Sequence, residues 1–150
     1  MSYKLVEEAL ITTLQGITGL EQSVSNKMTF LAEGHQRAAI TQYNSFERKD
    51  FAYKGQASIN WIIDVATFVR WIDEDQVVTD ADEFRQNIID RINQYHELGG
   101  TANVIDAVAL RGRAVPQLVT LGSNKFFKEI IQVHALELLS FDQQDHGGAE

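Results

Sequence analysis

The chain has 150 residues, enough for one domain with a real core, and 44% of them are hydrophobic, which excludes disorder of the chain as a whole. It has no cysteine, so disulfides, thiolate nucleophiles and cysteine-ligated zinc are excluded. A formal net charge of −8 argues against a general nucleic-acid binder, which needs a basic face to displace counterions.

Met1-Ser2-Tyr3-Lys4 runs straight into a charged amphipathic segment with Glu7 and Glu8, a pattern unlike that of a signal peptide. Tyr3 to Leu14 reads as a first helix capped by Ser2, with Leu5, Val6, Ala9, Leu10, Thr13 and Leu14 as its apolar face. Gly16 and Gly19 break that pattern. The stretch to Gly34 has no clear period, and Met28, Phe30 and Leu31 are its expected core anchors.

A strand is predicted from Arg37 to Tyr43, followed by a long hairpin loop from Asn44 to Gly55 that mixes charged and aromatic residues. Gln56 to Trp71 is the most informative segment. Ala57, Ile59, Trp61, Ile63, Val65, Thr67, Val69 and Trp71 alternate with Ser58, Asn60, Ile62, Asp64, Ala66, Phe68 and Arg70. Period two over such a length marks a strand, with one end expected to project beyond the compact body.

Asp73-Glu74-Asp75 is read as ending this strand. A second helix then starts near Asp80, where Asp80 and Glu83 have the spacing of a capping pair and Thr79 is an alternative cap. Its stripe is Phe84, Ile88, Ile92 and Tyr95 with Ile89 beside it, and Gly99-Gly100 stops it. Val104 to Leu110 and Gln117 to Leu121 alternate on either side of a turn, Gly112 to Pro116. Phe126 to Phe141 is a second long strand, expected to pair with the first. The fold class that follows is α+β: a mostly antiparallel sheet with two long strands, covered on one face by two amphipathic helices. Residues 1–141 form the one domain, and 142–150 a flexible tail.

Motifs that carry chemistry are missing. The four histidines, His35, His96, His134 and His146, are scattered, with no ligand-rich neighbours. The acidic run Asp73 to Glu83 fails the calcium-loop template, because Val77 and Val78 stand where an oxygen ligand and the turn glycine belong. Asp64, Asp90 and Asp106 form no legible acid–base pair, although folding can still pair carboxylates distant in sequence. There is no phosphate-binding glycine loop and no Gly-x-Ser-x-Gly. The expectation is a protein that is not an enzyme and uses no metal or cofactor.

Two segments have the character of contacts. Phe46, Phe51 and Tyr53 stand among Arg48, Lys49 and Asp50, and Arg111 and Arg113 form a compact basic tip around Gly112. Phe46, Arg48, Phe51, Tyr53, Arg111 and Arg113 are therefore the candidate subunit-interface residues. The plainer alternatives are burial of the aromatics against the body and a solvated basic turn. Trp61 and Trp71, on the apolar strand face, are read as core.

This layout resembles the tail terminator (tail completion) proteins of long-tailed bacteriophages. The matching elements are a helix ending in a glycine-marked turn (Leu5 to Leu20) and the strand Ala38-Ala39-Ile40-Thr41. A long aromatic-bearing strand (Ile59 to Trp71), the helix pattern Phe84-x-x-x-Ile88-Ile89-Asp90-x-Ile92 and a closing strand (Phe126 to Leu139) complete it. The family often has a proline at the head of the first strand, where this chain has Arg37-Ala38.

The resemblance implies a virion structural protein of the tail or neck, assembled in the host cytoplasm. It implies a homo-oligomeric ring, a hexamer, whose two faces dock on the tail tube protein and on the head completion or connector protein. DNA would pass through the channel without specific binding, and no membrane is involved. An acidic lumen would then repel passing DNA, with Asp73, Glu74 and Asp75 as candidate lumen acids. The alternatives are another head–tail connector or minor tail protein and, in a different class, a small cytoplasmic ligand-binding or enzymatic α+β domain.

Overall fold

The computed structural model describes residues 3–17, 24–25, 37–51, 56–100, 104–111, 116–121 and 123–140. In chain order the elements are α1 (Tyr3–Leu14), β1 (Val24–Ser25), β2 (Arg37–Phe51), β3 (Gln56–Arg70), α2 (Glu74–Gln94), a 3₁₀ turn (Leu98–Gly100), β4 (Val104–Arg111), β5 (Gln117–Leu121) and β6 (Asn124–Ser140). The strands form one sheet in the order β1-β2-β3-β6-β4, with β5 also on β6. Only the short β1–β2 pairing is parallel among these. The fold is α+β, as expected. The anchors Met28, Phe30 and Leu31, the Ser2 cap and the tail 142–150 lie outside the described residues.

The two long strands pair along their whole shared length, from Gln56↔Ser140 to Arg70↔Phe126. Strict alternation explains what they bury. Ile59, Trp61, Ile63, Val65 and Val69 of β3 meet Ile131, Val133 and Ala135 of β6 in one core. Both helices cover that same face, α1 with Val6, Leu10 and Leu14, and α2 with Val77, Ala81, Phe84, Ile88 and Ile92. Each large apolar side chain buried this way contributes roughly 1.5–3 kcal/mol before its entropy cost. On the opposite face a smaller cluster of Ala38, Ile40, Ala66, Phe68 and Phe126 packs near the end of β3.

The strand end expected to project is not a lone strand. The start of β3 is flanked by β2 (Phe51↔Gln56) and by β6 (Ser140↔Gln56), whereas the pairing of β4 stops at Glu137. Backbone groups there are satisfied on both sides, as a ladder requires.

Four expectations are corrected. The predicted loop from Asn44 is strand as far as Phe51, because a bulge at Asn44 changes the parity: Tyr43 faces Ile63, and Ser45 already faces Ile62. Phe46 is thereby placed opposite Trp61, on the same face as Tyr43. A period-two template cannot follow such a strand across the bulge.

The second helix starts at Glu74, not near Asp80, with Asp73 as its N-cap. Val77 and Ala81 extend the stripe of Phe84, Ile88 and Ile92 backward at helical spacing, and Glu74 and Asp75 suit the positive end of the helix. Asp80 and Glu83 lie inside the helix, where Arg37 approaches them at 3.9 and 2.9 Å. Tyr95 is the C-cap rather than part of the stripe. Finally, Leu5 is 54% exposed and does not share the apolar face of α1.

The chain leaves α2 through left-handed backbone at Leu98, Gly99 and Gly100, with φ of 50°, 81° and 76°. Only the glycines adopt it without strain. At the other helix end, Arg91 Nε donates to the Thr13 carbonyl at 2.9 Å and so caps α1 from α2. A side chain at Gly16 would collide with this guanidinium, which explains a small residue there.

The bulge yields a test. Deleting Asn44 removes the unpaired residue and leaves every neighbouring cross-strand partner in place. The loss is its exposed hydrogen bonds, donated to Asp64 and accepted from the Ser45 hydroxyl. We expect a folded protein destabilised by no more than about 1.5 kcal/mol in urea titration. A chain that fails to fold would show that the bulge itself sets the register.

Candidate assembly surface

Pairing of Phe46 with Trp61 organises the first surface. Phe46 and Trp61 rings lie 5.4 Å apart, Tyr3 is 5.6 Å from Trp61, and Tyr3 meets Tyr43 edge-on at 4.9 Å. Trp61 is buried, while Tyr43 and Phe46 are each 50% exposed. An aromatic row therefore surfaces beside the start of α1. Arg48, two residues beyond Phe46 on the same face of β2, is exposed, as is Lys4.

Two buried carboxyl groups underlie this row. Glu7 accepts from the Tyr3 hydroxyl at 2.8 Å and from Thr41 Oγ1 at 3.0 Å. Glu137 accepts from Trp61 Nε1 at 2.8 Å. Burial, then the hydrogen bond and negative charge of Glu7, push the Tyr3 phenol far above its ordinary range, so it remains a donor. These partners fix ring orientations and keep the row rigid.

A second surface lies where β3 ends, past Arg70. Trp71 and Phe127 rings are 6.1 Å apart. Phe127 pairs with Leu118, which is 52% exposed, and Ile72 is 74% exposed. Asp73, Glu74 and Asp75 follow directly, all exposed. The structure thus places the three acids in the cap and first turn of α2, where the helix dipole accounts for them.

Of the remaining candidates, Phe51 ends β2 and Arg111 ends β4. Tyr53 and Arg113 lie outside the described residues, as do His35 and His146. His134 is half-buried on the open sheet face, 3.3 Å from Asn60 Nδ2 and 2.8 Å from Gln132 Oε1. His96 Nδ1 is 3.7 Å from Asp106 Oδ1. Among the described residues no three His, Asp or Glu side chains are grouped to hold a metal ion. No helix there is long and apolar enough to cross a membrane.

A groove of about 510 Å³ runs between α1 and α2 past Leu5, Thr12, Arg91, Tyr95 and Leu98. Its cation is already engaged, by the Thr13 carbonyl and by the Tyr95 ring 4.2 Å beneath the guanidinium. No protein-family model matches the chain, and no curated protein matches it in sequence. The case for function therefore rests on the surfaces.

Residues that sequence reasoning did not single out carry much of this geometry: Glu7 and Glu137 beneath the first surface, and Arg91 in the groove. Their signal was faint but present. Glu137 falls on the apolar face of a predicted strand, where a carboxyl group requires a donor.

Proposed function

We propose that this chain is a tail terminator: a virion protein that closes the tail tube as a ring of six copies, joins tail to head and lets DNA pass. The observation that carries the reading is the long β2–β3–β6 ladder, helix-covered on one face and bearing two separate apolar surfaces. Such surfaces suit contact with neighbouring chains. The edge strand β4 carries a bulge at Ile105 and β2 one at Asn44, and beyond its short pairing with β1 the strand β2 presents the exposed Glu47-Arg48-Lys49. These features resist strand addition, so contacts between copies run through side-chain surfaces. The net charge of −8 suits a channel that DNA must cross without arrest.

Particle mass tests the reading. Light scattering and negative-stain imaging, alone and with tail tube protein, should give rings of six times the 16.9 kDa chain. A monomer under both conditions would overturn it. The assembled ring should also show no measurable affinity for duplex DNA at low ionic strength, and tight binding there would refute passage by repulsion.

A further inference from the structure

We infer that copies of this chain join head to tail through the two aromatic surfaces, one at the middle of β3 and one where β3 ends, the basic-flanked one of one copy seating on the acidic-flanked one of the next. The inference rests on the ring reading above and assigns its interface. The first surface is Tyr43 and Phe46 with Arg48 and Lys4. The second is Ile72, Trp71, Phe127 and Leu118 with Asp73, Glu74 and Asp75.

Three observations support this occupant. The flanking charges are complementary: Arg48 is exposed on the same strand face as Phe46, whereas Glu47 is turned to the opposite face by the alternation of β2. Three carboxylates directly follow the exposed Ile72. Each surface pairs protruding apolar side chains with a rigid aromatic backing, Trp61 behind Phe46 and Trp71 against Phe127. Such anchors are the usual centres of binding energy.

The third observation is position. Trp61, within β3, and Trp71, just past its end, are ten residues apart along one extended segment, about 33 Å at strand rise. The surfaces therefore cannot meet within one molecule. Contact between two unlike surfaces is heterologous, and it generates a ring when the rotation closes.

A mixing experiment tests it, under the conditions in which the wild-type chain assembles. Ile72→Asp spoils only the acidic-flanked surface, and Phe46→Asp only the basic-flanked one. Arg48→Glu serves as a second variant of the latter, because its side chain is exposed and its loss spares the Phe46–Trp61 contact. Each variant alone should run as a single chain with unchanged far-ultraviolet circular dichroism. An equimolar mixture of Ile72→Asp with Phe46→Asp, or with Arg48→Glu, should give two-chain particles and nothing larger, because each pair retains one matched contact. Variants that keep the wild-type mass, or mixtures that remain single chains, would overturn the interface while leaving the ring reading intact. A wild-type chain that never assembles would remove both.

Discussion

Replacing Arg85 by alanine is expected to destabilise the fold by about 3–5 kcal/mol, a large part of the roughly 5–15 kcal/mol of a typical domain. Arg85 Nη1 on α2 donates to both carboxylate oxygens of Glu129 on β6, at 3.0 and 2.9 Å. Glu129 is only 7% exposed, so removal of the guanidinium leaves a buried charge without its counterion. Asp82 also binds the guanidinium, but from the exposed side of the helix. The pair anchors the middle of α2 to the sheet.

Leucine at both positions should recover most of the loss, because an apolar pair escapes the desolvation cost of the charges. Arg85→Lys should fall between, since a point charge replaces a planar fork. Urea denaturation of the four proteins decides the matter. A loss below about 1 kcal/mol for Arg85→Ala would mean that water screens the pair as it does at a surface.

Trp61→Ala should cost a similar amount, about 3–5 kcal/mol for the lost packing. The indole also has a polar duty, because its N–H is donated to the buried Glu137 carboxyl at 2.8 Å. Trp61→Phe removes the N–H and some packed volume while keeping an aromatic ring, and should cost less than Trp61→Ala but at least about 1.5 kcal/mol, the low end for a bond to a charged group. Glu137→Gln keeps an acceptor in place and should cost less than Trp61→Phe. Trp71 remains as the fluorescent reporter of unfolding in both Trp61 variants. A loss well below about 1.5 kcal/mol for Trp61→Phe would show that packing, not the hydrogen bond, holds the indole.

The effect on assembly separates these residues from those of the interface. Trp61→Phe retains an aromatic backing for Phe46, so particles should persist at temperatures where the variant is folded. The surface variants should do the reverse, remaining folded and failing to assemble.

Local pattern was enough wherever one element met one environment. The bounds of α1, Tyr3–Leu14, follow from a stripe ended by Gly16, and the pairing of β3 with β6 follows from two long alternations of matching length. Pattern failed where two rules competed at one position. At Asn44 a bulge shifts the parity, so the strand beyond it resembles a loop. At Asp73 a run of acids resembles a solvated linker and also the first turn of a helix, and the buried Val77 and Ala81 decide for the helix.

The candidate surface was legible in kind but not in detail. Phe46 and Arg48 were visible as an aromatic–basic pair, yet their common face depends on the bulge before them. Ile72 was passed over in the sequence; its exposure is set by where β3 stops and α2 begins.

By itself, the amino-acid order determined the fold class, both long strands, the missing catalytic motifs and the acidic balance, because these depend on composition and spacing along one chain. Tertiary structure alone decided which side chains meet across elements: Arg85 with Glu129, Trp61 with Glu137, and Arg91 with the end of α1. Those partners are 44, 76 and 78 residues apart, and no local period extends so far. The same holds for the two surfaces, whose separation along β3 exists only once the strand is extended and paired.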